Sequence, residues 1–398
     1  MTNPAPAVLR IAIACGGTGG HLFPGLAVAE QVRQCGGAVT LLISPKEVDQ
    51  QAVKSAHDLS IVTLPGVGLT RGGQIAFLRG FARSYRAAKA AFKLCPPHAA
   101  LAMGGFTSAP PLLAAKRLRA RTFLHESNSV PGRANRWLSW FVDRAFVGFP
   151  AAGQGLRTGS VTVTGTPVRS GFRPREAAAC RAALGLDPAR PVVLVMGGSQ
   201  GASGINSLVI KTLPLLAKRS PHWQWFHLTG STEVETVRGA YASAGVFALV
   251  HPFFAAMELA LGAATAALSR AGGSSLAELA PLRLPSVLVP YPAATDEHQL
   301  HNARALEATG AARLLEQKRA TPETLARLLG ELVENPGVRV PMQQALAQWH
   351  RPRAARQIAE TILQTIAAQA FAPKAEQTHP AAAASVTWAL FVLSLLVS

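Results

Sequence analysis

The sequence has few cysteines and none of the spacings by which cysteines build disulfide scaffolds or zinc sites. Its four cysteines, Cys15, Cys35, Cys95 and Cys180, are far apart and form no Cys-x-x-Cys pair. Disulfide frameworks belong mainly to small secreted proteins. The first ten residues also lack the basic and apolar regions of a secretory leader. We therefore expect a chain that stays in the reducing cytoplasm.

Two motifs of phosphate chemistry are absent as well. No Asp-x-Asp pair occurs in the 398 residues, and no glycine precedes Lys-Ser or Lys-Thr. The first absence disfavours sugar transfer with a metal-held diphosphate, and the second excludes a Walker loop. We expect no metal and no cofactor, so helix N-termini and arginine must neutralise any phosphate.

Acidic residues are missing from one long stretch. The chain has a formal net charge of +18, yet between Leu59 and His125 there is no Asp or Glu, while ten Lys and Arg residues lie there. Such a basic surface attracts nucleic acid or anionic lipid. Charge alone does not choose between the two.

What the sequence does contain is two glycine-rich loops, about 180 residues apart. Residues 16–20 follow the apolar run 11–14, and residues 197–203 follow the run 192–195. Glycines strip side chains from a turn and leave backbone N–H groups free at the positive end of the next helix. Two such loops predict two Rossmann-like domains with a phosphate-bearing ligand between them.

Apolar runs of strand length alternate with amphipathic stretches along the whole chain. Strands are predicted at 9–14, 39–43, 99–103, 121–124, 144–148, 192–196, 224–228, 246–250, 264–268 and 286–290. Helices are predicted at 25–35, 75–93, 109–118, 131–141 and 353–370. This alternation implies parallel sheets and an α/β fold.

Polar residues follow several of these strands, at the edge where open α/β sheets bind ligands. His21 stands in a first helical turn, which disfavours imidazolium, so it should stay neutral and accept a proton; a structural cap is the alternative. Glu278 follows a serine pair that can cap a helix and bind an anion. A carboxylate beside a bound anion is unfavourable unless it accepts hydrogen bonds, and ribose hydroxyls could donate them to Glu278. His298, Gln299 and Asn302 share one helical face. Their polarity could reflect ligand binding, but ordinary solvent exposure explains it equally well.

Seven segments stand in order along the chain: GGTGGHLFPGLAVAE, GGFTSAP, HESNSVPGRANRWL, TPVR, GGSQGA, SRAGGSSLAELA and DEHQLHNA. Together they resemble the MurG family of bacterial peptidoglycan glycosyltransferases, over about residues 10–315. The resemblance implies a GT-B fold, two Rossmann-like domains with parallel sheets facing a deep cleft. It also implies an inverting hexosyltransferase that moves N-acetylglucosamine from UDP-N-acetylglucosamine to the 4-hydroxyl of undecaprenyl-diphosphate-linked muramyl pentapeptide.

The family's donor site, carried over motif by motif, comprises Thr18, Gly19, Gly20, Asn128, Arg169, Ser199, Phe254, Gly273, Ser274, Ser275, Leu276, Ala277, Glu278 and Gln299. Candidates on the acceptor side are Gly104, Gly105, Phe106, Ser108, Glu126 and Asn135, with His21 as base or organiser. Departures from the family pattern are Phe106 in place of Tyr, Thr166 in place of Asn, the non-acidic pair Ala255-Ala256, and Ala271-Gly272-Gly273 in place of Ser-Gly-Ala.

The resemblance assigns residues 1–168 to an acceptor-side, membrane-associating domain and residues 169–352 to a UDP-sugar domain. A final helix is expected at 353–371, and whether it packs back on the first domain is an open question at this point. It precedes a spacer and apolar tail at 372–398. The alternatives are another GT-B transferase with a different lipid acceptor, a UDP-sugar epimerase, or a non-catalytic membrane scaffold.

The predicted helix 75–93 carries its basic residues on one side. Arg79, Arg83, Arg86, Lys89 and Lys93 fall within roughly 120° of arc, opposite an aromatic face. We expect a buried aromatic face and a basic face that meets anionic lipid rather than nucleic acid. This places the chain peripherally on the cytoplasmic face of the membrane. The uncharged run 381–398 is expected to act as a supplementary anchor, with a buried core helix as the alternative.

Overall fold

The computed structural model of the chain describes residues 8–53, 59–66, 73–198 and 201–371. These residues form two α/β domains, each built on one parallel sheet with helices on its faces. The fold predicted from the sequence is thereby confirmed. Ser199 and the predicted spacer and tail at 372–398 lie outside the described residues.

Seven parallel strands make the first sheet, in the order β3-β2-β1-β4-β5-β6-β7. They are β1 (Arg10–Ala14), β2 (Ala38–Ile43), β3 (Ser60–Thr63), β4 (Ala99–Ala102), β5 (Arg121–Glu126), β6 (Arg144–Val147) and β7 (Val161–Val163). Six parallel strands make the second sheet, in the order β10-β9-β8-β11-β12-β13. They are β8 (Val192–Met196), β9 (Gln224–Leu228), β10 (Ala248–His251), β11 (Ala266–Ser269), β12 (Ser286–Leu288) and β13 (Arg313–Leu314).

Helices connect the strands and cover the sheets. Those of the first domain are α1 (Gly19–Gln34), α2 (Glu47–Ala52), α3 (Gln74–Leu94), α4 (Ala109–Arg117) and α5 (Arg133–Leu138). The rest are α6 (Ala177–Ala183), α7 (Ser203–Arg219), α8 (Val234–Ser243), α9 (Met257–Ala263), α10 (Gly273–Leu279), α11 (His298–Ala308), α12 (Pro322–Glu334), α13 (Pro336–Trp349) and α14 (Ala354–Phe371). Short 3-10 turns occur at Phe106–Ser108, Pro150–Gly155, Thr295–Glu297 and Gln317–Arg319.

All ten predicted strands are present, and the three that the pattern missed are β3, β7 and β13. Each of the three stands at an edge of its sheet. Central parallel strands are buried on both faces and read as continuous apolar runs. The three missed edge strands carry no such run, whereas the fourth edge strand, β10, carries one and was predicted. The predicted start of α1 at residue 25 was wrong, because the helix begins at Gly19 and continues through Pro24.

The chain crosses between the domains twice. After the second domain, α14 returns to the first and packs against α1. Its residues Ile358, Ile362 and Ile366, spaced four apart, are buried in the core that also holds Ile11 and Ile13 of β1. The link near 164–176 and the return near 350–354 therefore form a double hinge.

The aromatic and basic faces of α3 lie as predicted. Phe77, Phe81 and Phe92 are buried, while Arg79, Arg83, Arg86 and Lys93 are exposed and Lys89 is partly exposed. In the described part of the chain, no helix is both long enough and apolar enough to cross a membrane.

Candidate active site

A cleft of about 710 Å³ separates the carboxyl ends of the two sheets, and loops of both domains line it. The loops after β1 and β11 approach each other closely. A Cβ atom built on Gly20 would lie 3.6 Å from the Ser274 hydroxyl oxygen. The two segments that the sequence singled out as anion-binding turns thus meet in close contact, and both line the cleft.

His21 projects from the first turn of α1 and packs against the loop after β4. Gly104 and Gly105 adopt φ angles of +121° and +73°, which favour glycine. A Cβ atom on Gly104 would lie 2.8 Å from His21 Nε2. The two glycines therefore provide the space that the imidazole occupies. On the other side of the ring, Nδ1 lies 3.2 Å from the Thr18 hydroxyl oxygen.

The imidazole of His21 is held in its neutral form. Burial lowers its pKa below the usual 6.5, although the carboxylates of Glu126 and Asp49 oppose that shift. His298 and Lys46 lower the pKa further. A neutral imidazole can accept a proton at physiological pH, so His21 is chemically suited to act as a general base.

The carboxylate of Glu126 organises the loop after β5. Its Oε1 accepts hydrogen bonds from the Asn128 backbone N–H (2.9 Å) and side-chain amide (3.0 Å). Its Oε2 accepts from the Gly132 N–H and the Asn135 amide, both at 2.9 Å. With four donors bound, this buried carboxylate holds the loop in shape and does not present a free oxygen to the cleft.

That loop is hydrogen-bonded to the second domain. The Asn128 side-chain oxygen accepts from the Gly273 N–H at 3.3 Å and from the Asn302 amide at 3.0 Å. The Asn302 side-chain oxygen accepts from the Ser129 N–H (2.8 Å) and hydroxyl (2.9 Å), and its amide also donates to the Ala271 carbonyl. Asn302 is fully buried. The sequence pattern alone did not distinguish Asn302 from a residue on a solvated helix face, because its partners Asn128 and Ser129 belong to the other domain.

Charged residues link the domains at the rim of the cleft. Arg136 of α5 donates to the Asp296 carboxylate, and Arg133 lies 4.0 Å from the same group. Asp296 has a φ of +50°, a left-handed conformation that is uncommon for a non-glycine residue. The side chains are partly exposed, so the pair contributes modestly to stability.

Glu278 lines the cleft one turn into α10 and carries the most unusual carboxyl group of the site. Burial raises its pKa from 4.5 to about 7, while the Arg169 guanidinium lowers it and Glu258 raises it further. Within the described residues, no donor hydrogen-bonds this carboxyl. Its acceptor capacity is therefore available to a ligand.

Gln299 presents its amide nitrogen to the cleft. Its side-chain oxygen accepts from the Tyr291 N–H at 2.9 Å and the Ala271 N–H at 3.3 Å, so the remaining polar group is a donor. Nearby, Arg270 donates to the carbonyls of Val289 (3.0 Å) and Pro290 (3.1 Å) while lining the same cleft. Sequence reasoning did not select Arg270, although it stands directly before a selected glycine turn.

The two phenylalanines among the predicted site residues both line the cleft. The Phe254 ring packs edge-on against Phe226, with centroids 5.0 Å apart. The Phe106 ring packs edge-on against Phe77 of α3 at 5.6 Å. Both rings are thus anchored in their own domains, and Phe106 links the cleft to α3.

Of the remaining predicted residues, Thr18, Gly19, Gly273 and Ser275 line the cleft, while several others lie elsewhere. Arg169, Leu276 and Ala277 line a second cavity of about 500 Å³ at the hinge. The Arg169 guanidinium lies 4.7 Å from the centre of the Phe23 ring. Ser108 is buried, and its hydroxyl closes the turn by donating to the Gly105 carbonyl at 2.8 Å.

Across the described ranges, no group of three or more His, Cys, Asp or Glu side chains is arranged to hold a metal ion. His125, at the end of β5, is fully buried, and burial lowers its pKa to about 4. Its Nε2 lies 3.2 Å from the Gly165 carbonyl oxygen and its Nδ1 3.4 Å from the Ser127 hydroxyl. Both ring nitrogens therefore have protein partners.

Two protein-family profiles match the chain, one for each domain. The glycosyltransferase family 28 N-terminal domain matches residues 11–147, and the glycosyltransferase family 28 C-terminal domain matches residues 192–360. Together these matches span both sheets apart from β7.

The chain is similar to a named protein and to proteins whose structures have been solved. A UDP-N-acetylglucosamine–N-acetylmuramyl-(pentapeptide) pyrophosphoryl-undecaprenol N-acetylglucosamine transferase of Xanthomonas euvesicatoria pv. vesicatoria is 39% identical over 368 residues, 92% of this chain and 83% of the relative. The crystal structure of Acinetobacter baumannii MurG is similar with a TM-score of 0.68 and 28% identity, over 89% of this chain and 99% of that one. A putative UDP-N-acetylglucosamine 2-epimerase from Listeria monocytogenes shares the fold, with a TM-score of 0.68 at 14% identity over 92% of this chain and 99% of its own.

Proposed function

The chain belongs to glycosyltransferase family 28, and from this membership we propose that it transfers N-acetylglucosamine from UDP-N-acetylglucosamine to lipid-linked N-acetylmuramyl-pentapeptide. The reaction converts lipid I to lipid II in peptidoglycan synthesis, and through it the chain would serve cell shape and division. The geometric observation that supports this proposal is that His21 of the first domain and Glu278 of the second line the same cleft.

The donor occupies the wall formed by the second domain. The free Glu278 carboxyl accepts hydrogen bonds from the ribose hydroxyls, and the Gln299 amide donates to the ligand. The uracil meets the backbone at Phe254, whose ring is engaged by Phe226. Contacts of this kind to a hydroxyl pair discriminate well, because an analogue without the hydroxyls leaves buried groups unpaired.

The diphosphate lies in the cleft beside these turns, where Ser274 and Ser275 line the wall and can donate from their N–H and hydroxyl groups. Preorganised donors stabilise the charge that develops on a leaving group at little reorganisation cost. Arg169 adds a positive charge behind this turn, at the hinge cavity. Ser199 belongs to the same proposed cradle on sequence grounds and lies outside the described residues.

The chemical step is a direct displacement at the anomeric carbon. The 4-hydroxyl oxygen of the muramyl sugar attacks that carbon, its proton passes to His21, and the bond to the diphosphate oxygen breaks to release UDP. The configuration at the anomeric carbon inverts because attack and departure occur on opposite faces. His21 is suited to this role because burial keeps its imidazole neutral.

The acceptor's lipid requires a membrane surface, and we place the basic face of α3 against it. Arg79, Arg83, Arg86, Lys89 and Lys93 have no carboxylate partner among the described residues. An unpaired cation near an anionic surface contributes up to about 1 kcal/mol. Phe106 packs on Phe77 of the same helix, so α3 adjoins the acceptor side of the cleft through its aromatic face, and its basic face points the other way. The apolar run 381–398 supplies a supplementary anchor in this proposal.

The proposal is tested by product analysis with the full chain. UDP-N-acetylglucosamine and detergent-solubilised lipid-linked muramyl pentapeptide should yield the disaccharide lipid and UDP in equal amounts, identified by mass spectrometry. A chelator should not change the rate. Formation of a 2-epimer from the donor alone, or absence of the disaccharide lipid, would contradict the proposal.

A further inference from the structure

The glycine loop that precedes His21 is held in place by side chains from two other segments. The Gly17 N–H donates to Asp49 Oδ2 at 2.7 Å. The Gly17 carbonyl accepts from Lys46 Nζ at 2.9 Å. The Gly16 carbonyl accepts from the Thr107 hydroxyl at 2.6 Å. Both polar groups of Gly17 are therefore bound by one short segment, residues 46–49, which follows β2.

Burying the Asp49 carboxylate costs free energy of desolvation unless hydrogen-bond donors compensate for it. It is fully buried, and its Oδ2 accepts two further hydrogen bonds, from the Ser44 N–H (3.1 Å) and the Ser44 hydroxyl (2.6 Å). Its Oδ1 is buried without a partner among the described residues. A buried carboxylate is tolerated when donors compensate its lost hydration. Here the donors belong to the glycine loop and to the strand end beside it.

The backbone at this point leaves little room for another arrangement. Gly17 has a φ of +114°, which side-chain-bearing residues rarely adopt. A Cβ atom on Gly16 would collide with the backbone of Ser44. Directly afterwards, the Thr18 carbonyl accepts from the His21 N–H at 3.1 Å, which begins α1. The position of the Gly17 peptide thus sets where the helix starts and where the imidazole points.

We propose that Asp49 and Lys46 are positioning residues for the transfer reaction, acting together on the Gly17 backbone to fix the glycine loop and His21. This inference rests on the proposed function, because it assigns His21 to the reacting proton. Neither side chain touches the substrates in this arrangement. Their effect reaches the cleft through the loop and through their charges.

The two charges act on the His21 imidazole in opposite directions. The groups that face it are Glu126, Asp49, His298 and Lys46, and of these the two carboxylates raise its pKa while His298 and Lys46 lower it. Removing the Asp49 charge should therefore move the acidic limb of the rate–pH profile to lower pH. Removing the Lys46 charge should move the same limb to higher pH.

The test uses the full chain with Asp49→Asn and Lys46→Met, and Glu47→Gln as the matched control from the exposed side of the same helix. Each test variant should lower kcat by at least about tenfold, the lower end for losing a hydrogen bond to a charged group. UDP affinity, measured by calorimetry, should change by less than about twofold, since the uridine lies on the other domain. The control should match the unaltered chain in both measurements.

The outcomes separate this inference from the function on which it rests. If the unaltered chain makes no disaccharide lipid, the proposed function fails first. If it is active and both variants match it in kcat and in the acidic limb, the positioning role is wrong. Equal shifts of the limb in the same direction would also overturn it. Lys46 is exposed, so Lys46→Met gives a decision even if Asp49→Asn does not fold.

Discussion

Replacing Glu278 with glutamine should stabilise the protein at alkaline pH while weakening its hold on UDP. The Glu278 carboxyl is buried in the free cleft, and this raises its pKa from 4.5 to about 7. At 1.36 kcal/mol per pKa unit, ionising it in the folded protein costs about 3 kcal/mol more than in the unfolded chain. Glutamine has nearly the same shape and no charge, so the variant avoids this cost.

The sign follows from proton linkage. Between pH 4.5 and about pH 7 the folded protein binds more protons at Glu278 than the unfolded chain does. The contribution of Glu278 to the free energy of unfolding is therefore greatest below pH 4.5, falls as the pH rises through this window, and stays low above it. Glu278→Gln should raise the melting temperature by several degrees at pH 8, where a change of 1 kcal/mol shifts a domain of this size by roughly 2–4 °C. At pH 5 the difference should be much smaller.

The same substitution should weaken UDP binding by about 1–3 kcal/mol at pH 8, because glutamine cannot accept the ribose hydrogen bonds as a charged group does. In the unaltered chain, binding should release protons near pH 6.5, since the hydroxyls favour the ionised carboxylate. Calorimetry in two buffers of different ionisation enthalpy measures that release. An unchanged or lower melting temperature at pH 8, together with unchanged UDP affinity, would refute the reasoning.

Three further predictions concern the base, the membrane face and the domain contact. His21→Ala should lower kcat by roughly 10²–10⁴-fold with UDP affinity nearly unchanged, and turnover near the unaltered rate at saturating acceptor would reduce His21 to a structural role. Replacing Arg83, Arg86 and Lys89 with Glu should abolish the protein's preference for sedimenting with anionic over neutral liposomes, without affecting UDP binding. Equal sedimentation of the unaltered chain with both vesicle types would count against a lipid-facing α3. Asn302→Ala should raise the donor KM several-fold and lower the melting temperature, because the buried Ser129 N–H and hydroxyl lose their acceptor; unchanged values in both assays would show that the contact does not hold the cleft.

Local patterns were enough to predict the two sheets and the residues on their carboxyl edges. The continuous apolar runs of the central strands and the glycine turns that follow them are properties of adjacent residues. Gly20 and Ser274 could therefore be assigned to the same cleft without a structure. β3, β7 and β13, three of the four edge strands, could not be found, because none of these three carries a comparable apolar run.

What could not be predicted depends on contacts between distant segments. Asn302 is buried because its partner Ser129 belongs to the other domain, 173 residues away. Asp49 is buried because the glycine loop, 32 residues earlier, supplies a donor. Glu126 lies among the predicted acceptor residues, yet its oxygens are occupied by its own loop. Sequence identifies a polar side chain at the right edge of a sheet, but only the packing shows whether a ligand or the protein itself uses it.

We expect the cleft to catalyse a single direct displacement, with His21 and Glu278 on opposite walls. The most direct measurement is the anomeric configuration of the disaccharide lipid made from the α-linked donor, determined by proton nuclear magnetic resonance. Direct displacement should give a β-linked N-acetylglucosamine residue, and His21→Ala should strongly reduce its formation. An α-linked product, or a β-linked product formed at the same rate by the His21→Ala variant, would contradict it.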